Sequence, residues 1–278
     1  MKFAQSQLAL PLAALFVGFF VAPLGVLLAL SLQSDQQTGL LTLGQYLKFF
    51  SDPFSYAVLW DTLLLGLKAT LVCLLFGFPV AWLCARVNAR WQSVLVFVVI
   101  LPILTSVVVR TFAWIVILGR QGVLNQIALG LGLSSEPIRL LFTETGVVIV
   151  LAQVQMPLMV LPILTVLSKA DPNLADASRA LGAGEWRTLW RVIVPLSLPG
   201  VIAGCILTYS ACVTAFVTQT LIGGARLIYM PLDIYQQAIG ANNWPFAAAI
   251  SIIFMMAVLL VIAALNFLAR KSDRHGHA

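Results

Sequence analysis

Six long apolar runs dominate the chain, at approximately residues 8–32, 59–85, 93–118, 144–168, 198–222 and 246–269. Each has about the 17–25 residues an α-helix needs to cross a hydrocarbon core. The runs are continuous rather than alternating, which excludes a transmembrane β-barrel. Lipid offers unpaired backbone groups no partner, so runs of this kind predict helices. The first run follows Lys2 and contains Ala29-Leu30-Ser31, a sequence resembling a signal-peptide cleavage site. Its apolar stretch exceeds the roughly 7–15 residues of a signal core, so it is read as a retained helix. The expected class is an all-α membrane protein with six transmembrane helices. Residues 1–58 form a first helix and its following loop; residues 59–278 form a five-helix core.

The polar connections alternate between two sides. On one side, residues 33–58 contain the turn signal Ser51-Asp52-Pro53, and residues 119–142 contain a short interfacial helix pattern from Gly122 to Gly130. On the other, residues 169–197 form the longest polar interruption. Asp171-Pro172-Asn173 predicts a turn into a helix. Leu174, Ala177 and Leu181 follow at helical spacing, Gly182-Ala183-Gly184 breaks the pattern, and Trp186, Leu189, Trp190 and Ile193 form a second apolar stripe. Pro195 and Pro199 punctuate the start of the fifth run. Two short helices joined by an elbow are expected, a shape suited to a groove on another protein.

Composition narrows the class. The chain is 61% hydrophobic and 9% charged, against about 25% charged in soluble domains. With six spans, Lys2, Arg86, Arg90, Lys169, Arg179, Arg187, Arg191, Arg270, Lys271 and Arg274 share one side. Only Lys48, Arg120, Arg139 and Arg226 fall on the other. The basic excess places both termini and loop 169–197 in the cytoplasm. Asp35, Asp52, Asp61, Glu136, Glu144 and Asp233 gather at the opposite, outer side. The net charge of +6 is thus explained by topology, and the bilayer, not nucleic acid, is the implied environment. Cys73, Cys84, Cys205 and Cys212 lie in or beside apolar runs without a C-x-x-C pair and read as small buried hydrophobes.

Candidate chemistry is sparse. Arg110 lies inside the third span, where a charge is costly unless paired or wet. It pairs with an outer acid, Glu144 or Asp61, or it faces a pathway; in the second case an anionic or zwitterionic solute is favoured. Lys68 snorkels or meets a subunit contact. Asp61, Glu144 and Asp233 are solvated interfacial carboxylates or coordinate amines at a pathway mouth. Trp114, Tyr209, Phe216 and Tyr235 can stack on cations or anchor at interfaces. Pro157, Pro162 and Gly204 read as kinks lining a pathway. His275 and His277 on the tail are read as inert, and no metal site is expected. No P-loop, H-E-x-x-H or G-x-S-x-G pattern is present. An ion-coupled secondary transporter would place more ionisable groups at depth, often with inverted repeats. An intramembrane enzyme would need a nucleophile–base or metal-ligand set there, and a purely structural subunit has no use for the loop.

That loop reads Asp176-Ala177-Ser178, three residues, Gly182, nine residues, Val192-Ile193-Val194-Pro195. It resembles the cytoplasmic EAA loop of permease subunits of binding-protein-dependent ABC importers, with Asp for the leading Glu. Further stretches resemble the spermidine/putrescine branch: Arg110 to Ile115, Gly122 to Asn125, Met156 to Pro162, Phe216-Val217-Thr218 with Gly223-Gly224, and Asn243-Trp244-Pro245. Gln219 stands where the branch pattern has proline. The resemblance implies a type I ABC importer permease fold that is not itself an enzyme and binds no cofactor. It implies two partner ATPase subunits carrying ATP and Mg, a second and different permease, and a periplasmic solute-binding protein. Asp176, Ala177, Ser178, Arg179, Ala180, Leu181, Gly182 and Glu185 are the implied ATPase-coupling residues. The implied cargo is a polyamine or related amine, with Arg110, Trp114, Asp61, Glu144, Pro157, Tyr209, Phe216 and Asp233 as pathway candidates.

Overall fold

A computed structural model of the chain describes residues 2–34, 41–171 and 173–275, with side chains omitted for residues 2–10, 12–13, 175–176 and 268–275. Asp35, Pro172 and His277 lie outside the described residues. So do the side chains of Lys2, Asp176, Arg270, Lys271, Arg274 and His275. The described chain is helical: α1 (Lys2–Ser31), α2 (Gly44–Ser51), α3 (Pro53–Arg86), α4 (Ala89–Leu104), α5 (Val107–Leu118), α6 (Val123–Gly130), α7 (Glu144–Leu167), α8 (Asn173–Ala180), α9 (Glu185–Thr188), α10 (Val194–Val213), α11 (Phe216–Gly223), α12 (Met230–Tyr235) and α13 (Trp244–His275). Among the described residues, six stretches are long and apolar enough to cross a membrane, the third of them Val107–Gly130 rather than the expected 93–118.

The chain divides into two compact units. One comprises residues 1–59 and 230–257; the other comprises residues 60–229 and 258–278. In the first, Ser31 Oγ and Tyr46 Oη share a hydrogen bond of 2.7 Å, and the Gln45 amide donates to the Ser34 carbonyl at 3.0 Å. Phe49 is fully buried, and the Lys48 ammonium lies 4.3 Å from the Phe246 ring centre.

In the second unit α7 is the axis: 61% of its span is buried, where the other five reach at most 33%. Its N-terminal half joins Leu65, Ala69, Leu118, Cys212 and Ile222 in one core cluster; its C-terminal half joins Cys73, Ala81 and Cys84 in another. Without a water-driven hydrophobic effect between spans, close approach of helices depends on small residues. Gly200 and Gly204, one turn apart on α10, supply it. A Cβ at Gly200 would stand 2.8 Å from the Pro162 carbonyl oxygen; one at Gly204 would stand 2.9 Å from Met159 Sδ.

Gly204 lies within an unbroken α10 and serves close packing. Pro157 and Pro162 lie within an unbroken α7, and Pro157 is buried within the protein. One sequence expectation changes here. The third run is not one helix. It divides at Thr105–Ser106, where Thr105 turns to an extended backbone.

The fifth run divides too. A π-helical turn over Leu189–Ile193 leads into α10 immediately before Pro195, and α10 ends at Thr214–Ala215 before α11 begins. The π turn also splits the expected apolar stripe: Leu189 and Ile193 are buried, whereas Trp186 and Trp190 are exposed. Gln219 has taken over a sealing role at the break. Its amide donates to the Cys212 and Val213 carbonyls at 2.8 and 3.2 Å, filling acceptors left open at the end of α10.

These contacts order the glycine substitutions. Gly200→Ala presses on backbone and should lower stability by about 1–3 kcal/mol. Gly204→Ala should cost less, because the nearest atom belongs to a flexible methionine. Gly25→Ala, with nothing within 4 Å, should be neutral. Thermal melting of the detergent-solubilised protein checks the order.

Candidate functional site

The loop after α7 forms the expected elbow. Helix α8 closes with Gly182 at φ +80°, a conformation that glycine adopts without the steric strain of a Cβ. Gly182 N–H donates to the Arg179 carbonyl at 2.9 Å, and Ala183 N–H to the Ser178 carbonyl at 3.1 Å, so the last turn is capped. The second helix is locked to the first by side chains. The Ser178 and Thr188 hydroxyls are 3.0 Å apart. Glu185 binds Arg179 at 2.9 Å and reaches Arg86, at the end of α3, at 3.5 Å. Arg86 in turn lies 4.1 Å over the Trp82 ring. Ala177 and Ala180 are exposed on α8. Leu181 is 89% exposed, Trp186 72% and Trp190 56%, apolar side chains that the described residues leave uncovered.

A second site lies where both interrupted runs meet. A cavity of about 490 Å³ is lined by Thr105 and Arg110 at one break and by Thr214, Ala215, Phe216 and Thr218 at the other, with Gln155 between them. Arg110 Nη1 donates to Thr105 Oγ1 at 3.5 Å, and its buried Nε has no partner. Among the described residues no carboxylate pairs with Arg110. The expected partner Glu144 is taken by Lys68, through an ion pair that joins α3 to α7. Lys68 is therefore a partner of Glu144 within the chain.

The remaining candidates are dispersed. Trp114 Nε1 donates to Gln153 Oε1 at 3.1 Å. Tyr209 is fully buried against Gly66, its hydroxyl unpartnered, and does not line the Arg110 cavity. Asp61 is exposed; together with Glu144 it adds to the upward shift that burial imposes on the Tyr229 phenol. Asp233 belongs to the other unit. The polar lining at Gln155, Thr214 and Thr218, and the contacts of Arg86, were missed from sequence. Gln153 and Gln155 were the available signal, since two amides in the most enclosed span need partners.

Asp233 is buried, and one carboxylate oxygen has no partner. Burial, opposed by a Gln237 hydrogen bond and reinforced by the Asp52 charge, raises its pKa above the usual carboxylate value. Folding thus favours the protonated acid. The contribution to stability is full below the unfolded pKa and is lost as pH rises through the folded one. Asp233→Asn should therefore raise the melting temperature at neutral pH, with the gain vanishing toward acid. A pH series of melting curves checks it.

Residues 77–274 match the family described as binding-protein-dependent transport system inner membrane component. The chain is 35% identical over 224 residues to the spermidine/putrescine transport system permease protein PotB of Haemophilus influenzae, covering 80% of this chain and 78% of that one. Identity to PotB of Escherichia coli is 36% over 221 residues, with 80% of each covered. The molybdenum transport system permease ModB of Escherichia coli is 30% identical over 222 residues, 77% of this chain and 94% of that one. Among solved structures, a bacterial ABC transporter importing the acidic polysaccharide alginate aligns with a TM-score of 0.76 at 18% identity, over 97% of this chain and 96% of that one. A chain of the alginate transporter in complex with its alginate pentasaccharide-bound periplasmic protein gives 0.77 at 17%, over 97% and 95%. At such identities these two show the fold alone.

Proposed function

The chain belongs to the family of binding-protein-dependent transport inner membrane components, and on that premise we propose how its sites drive import of a small amine. As a permease subunit of an ABC importer it supplies the membrane path, and ATP hydrolysis resides in a separate subunit. The proposed assembly contains two ATPase subunits carrying ATP and Mg, a second and different permease, and a periplasmic solute-binding protein. Both termini and the α8–α9 elbow lie in the cytoplasm, in keeping with the basic excess on that side.

The observation that carries the mechanism is the elbow. Leu181, Trp186 and Trp190 form an apolar face that suits a groove on the ATPase. Glu185 ties that face to Arg86, so a pull on the elbow reaches α3, while the continuous helix through Leu189–Ile193 carries it into α10. ATP-driven closure then biases a bistable packing of the spans. Loss of the carboxylate tests the linkage. Glu185→Gln should lower solute-stimulated ATPase activity several-fold. Melting should barely move, since such exposed pairs contribute about 0.2–1 kcal/mol.

A polyamine or related amine is the proposed cargo, supported by the names of the PotB relatives. In this proposal, the exposed Asp61 attracts the amine and Phe216, at the helix-break cavity, flanks its path. A zwitterionic or anionic solute is a second reading, favoured by one observation: Arg110 faces the helix-break cavity with no carboxylate partner among the described residues. Titration of the cognate binding protein with spermidine, putrescine, amino acids and dicarboxylates decides between them. Tight binding of a polyamine upholds the first; exclusive binding of a carboxylate-bearing solute replaces it.

A further inference from the structure

Three arginines from separate segments line one cavity of about 510 Å³ in the larger unit: Arg120 after α5, Arg139 before α7 and Arg226 after α11. All three are exposed, and among the described residues none has an ion-pair partner. Like charges gathered in this way repel one another, yet specific devices hold their segments in place. Asn125, 2% exposed, donates to the Gly119 and Ile138 carbonyls at 3.0 Å each and accepts from Ile138 N–H at 2.8 Å. It fastens the Arg120 turn to the Arg139 segment. Phe142, at φ 62°, donates from its N–H to the Ile222 carbonyl at 3.0 Å. Gly224, at φ 64°, passes so close to the Phe142 ring that a Cβ would stand 2.6 Å away. That contact brings in the Arg226 turn.

We propose that this arginine cup is the docking point for a carboxylate-bearing surface of the solute-binding protein. The inference rests on the importer reading and on its orientation, which puts the cup on the outer face. Three of the four basic residues assigned to that face line it, against the general bias that keeps Lys and Arg in the cytoplasm. The floor argues against a lipid in the cup. Leu118, Leu140 and Leu141 pack into the protein's own core cluster, so they form the end of that core rather than a track for acyl chains. An exposed arginine rim also fits a broad protein surface, where charge complementarity speeds encounter and fixes register.

The test uses the complete importer in lipid nanodiscs with its solute-loaded binding protein. The readout is the binding-protein concentration giving half-maximal ATPase stimulation. The triple variant Arg120→Gln, Arg139→Gln, Arg226→Gln should raise it about tenfold or more, with basal ATPase activity unchanged and a flatter dependence on salt. An unchanged half-saturation overturns the proposal. So does a shift that disappears when anionic lipids are replaced by phosphatidylcholine, which would assign the cup to lipid. If the triple variant does not fold, single Arg226→Gln and the wild-type salt series decide: no shift and no salt dependence overturn it. Failure of any binding protein to stimulate the wild type would instead overturn the importer reading.

Discussion

Gly182→Val is expected to abolish most solute-stimulated ATPase activity and uptake while the complex still assembles. Gly182 holds φ +80° at the end of α8. A β-branched residue is a steric outlier there, and the left-handed conformation costs an ordinary residue roughly 1–2 kcal/mol. Beyond its immediate chain neighbours, a Cβ at this position has nothing among the described residues within 4 Å, so the penalty is one of backbone conformation rather than of packing. The strain must be relieved by re-aiming the backbone. That displaces Leu181 from the exposed apolar face and loosens the Arg179–Glu185 and Ser178–Thr188 contacts. A shift of that size in the docked population corresponds to roughly a tenfold loss of coupled rate. Asparagine tolerates the left-handed region better, so Gly182→Asn should retain much of the activity. ATPase assays on proteoliposomes, with and without solute-loaded binding protein, separate the two. If Gly182→Val couples as well as wild type, the elbow does not transmit the power stroke.

The elbow was legible because its signals are local: a glycine break, a proline at fixed distance and an apolar stripe within one loop. The six spans were legible because about twenty apolar residues in a row have few other uses. The breaks at Thr105–Ser106 and Thr214–Ala215 were not, since a threonine or serine hardly lowers the hydropathy of its run and can return its hydroxyl to its own helix, as Thr214 does to the Ser210 carbonyl at 2.8 Å. Prolines do not mark the breaks either. Pro157 and Pro162 lie in an unbroken helix, whereas Gln219, which stands in place of a proline, seals a real break. The Lys68–Glu144 pair was beyond reach for another reason. Its partners are 76 residues apart, and either of two acids could have been assigned to Arg110 until the fold placed them.

Arg110 now separates the two cargo classes. Its guanidinium lines a cavity that also receives the C-terminal end of α4 at Thr105 and that of α10 at Thr214. The N-terminal ends of α5 at Val107 and of α11 at Phe216 line the same cavity; helix ends carry roughly half a charge each, of opposite sign, so they cancel and leave Arg110 as the charged side chain of the lining. The proposed amine cargo is therefore compatible with this cavity only on a route that keeps clear of the guanidinium. Arg110→Gln should accordingly change amine uptake by no more than about threefold. Arg110→Glu should slow it about tenfold or more, because a carboxylate at this position would hold the amine in the cavity. Opposite charges at close range interact by about 4 kcal/mol at an effective dielectric near 20, ample for such a trap. A carboxylate-bearing cargo behaves in the opposite way. Arg110→Gln would then remove a charge-assisted hydrogen bond of about 1.5–3 kcal/mol, lowering kcat/KM by roughly ten- to a hundredfold. Uptake of radiolabelled solute by the two variants in proteoliposomes distinguishes the outcomes, and a large loss with Arg110→Gln would remove the polyamine assignment while leaving the importer itself intact.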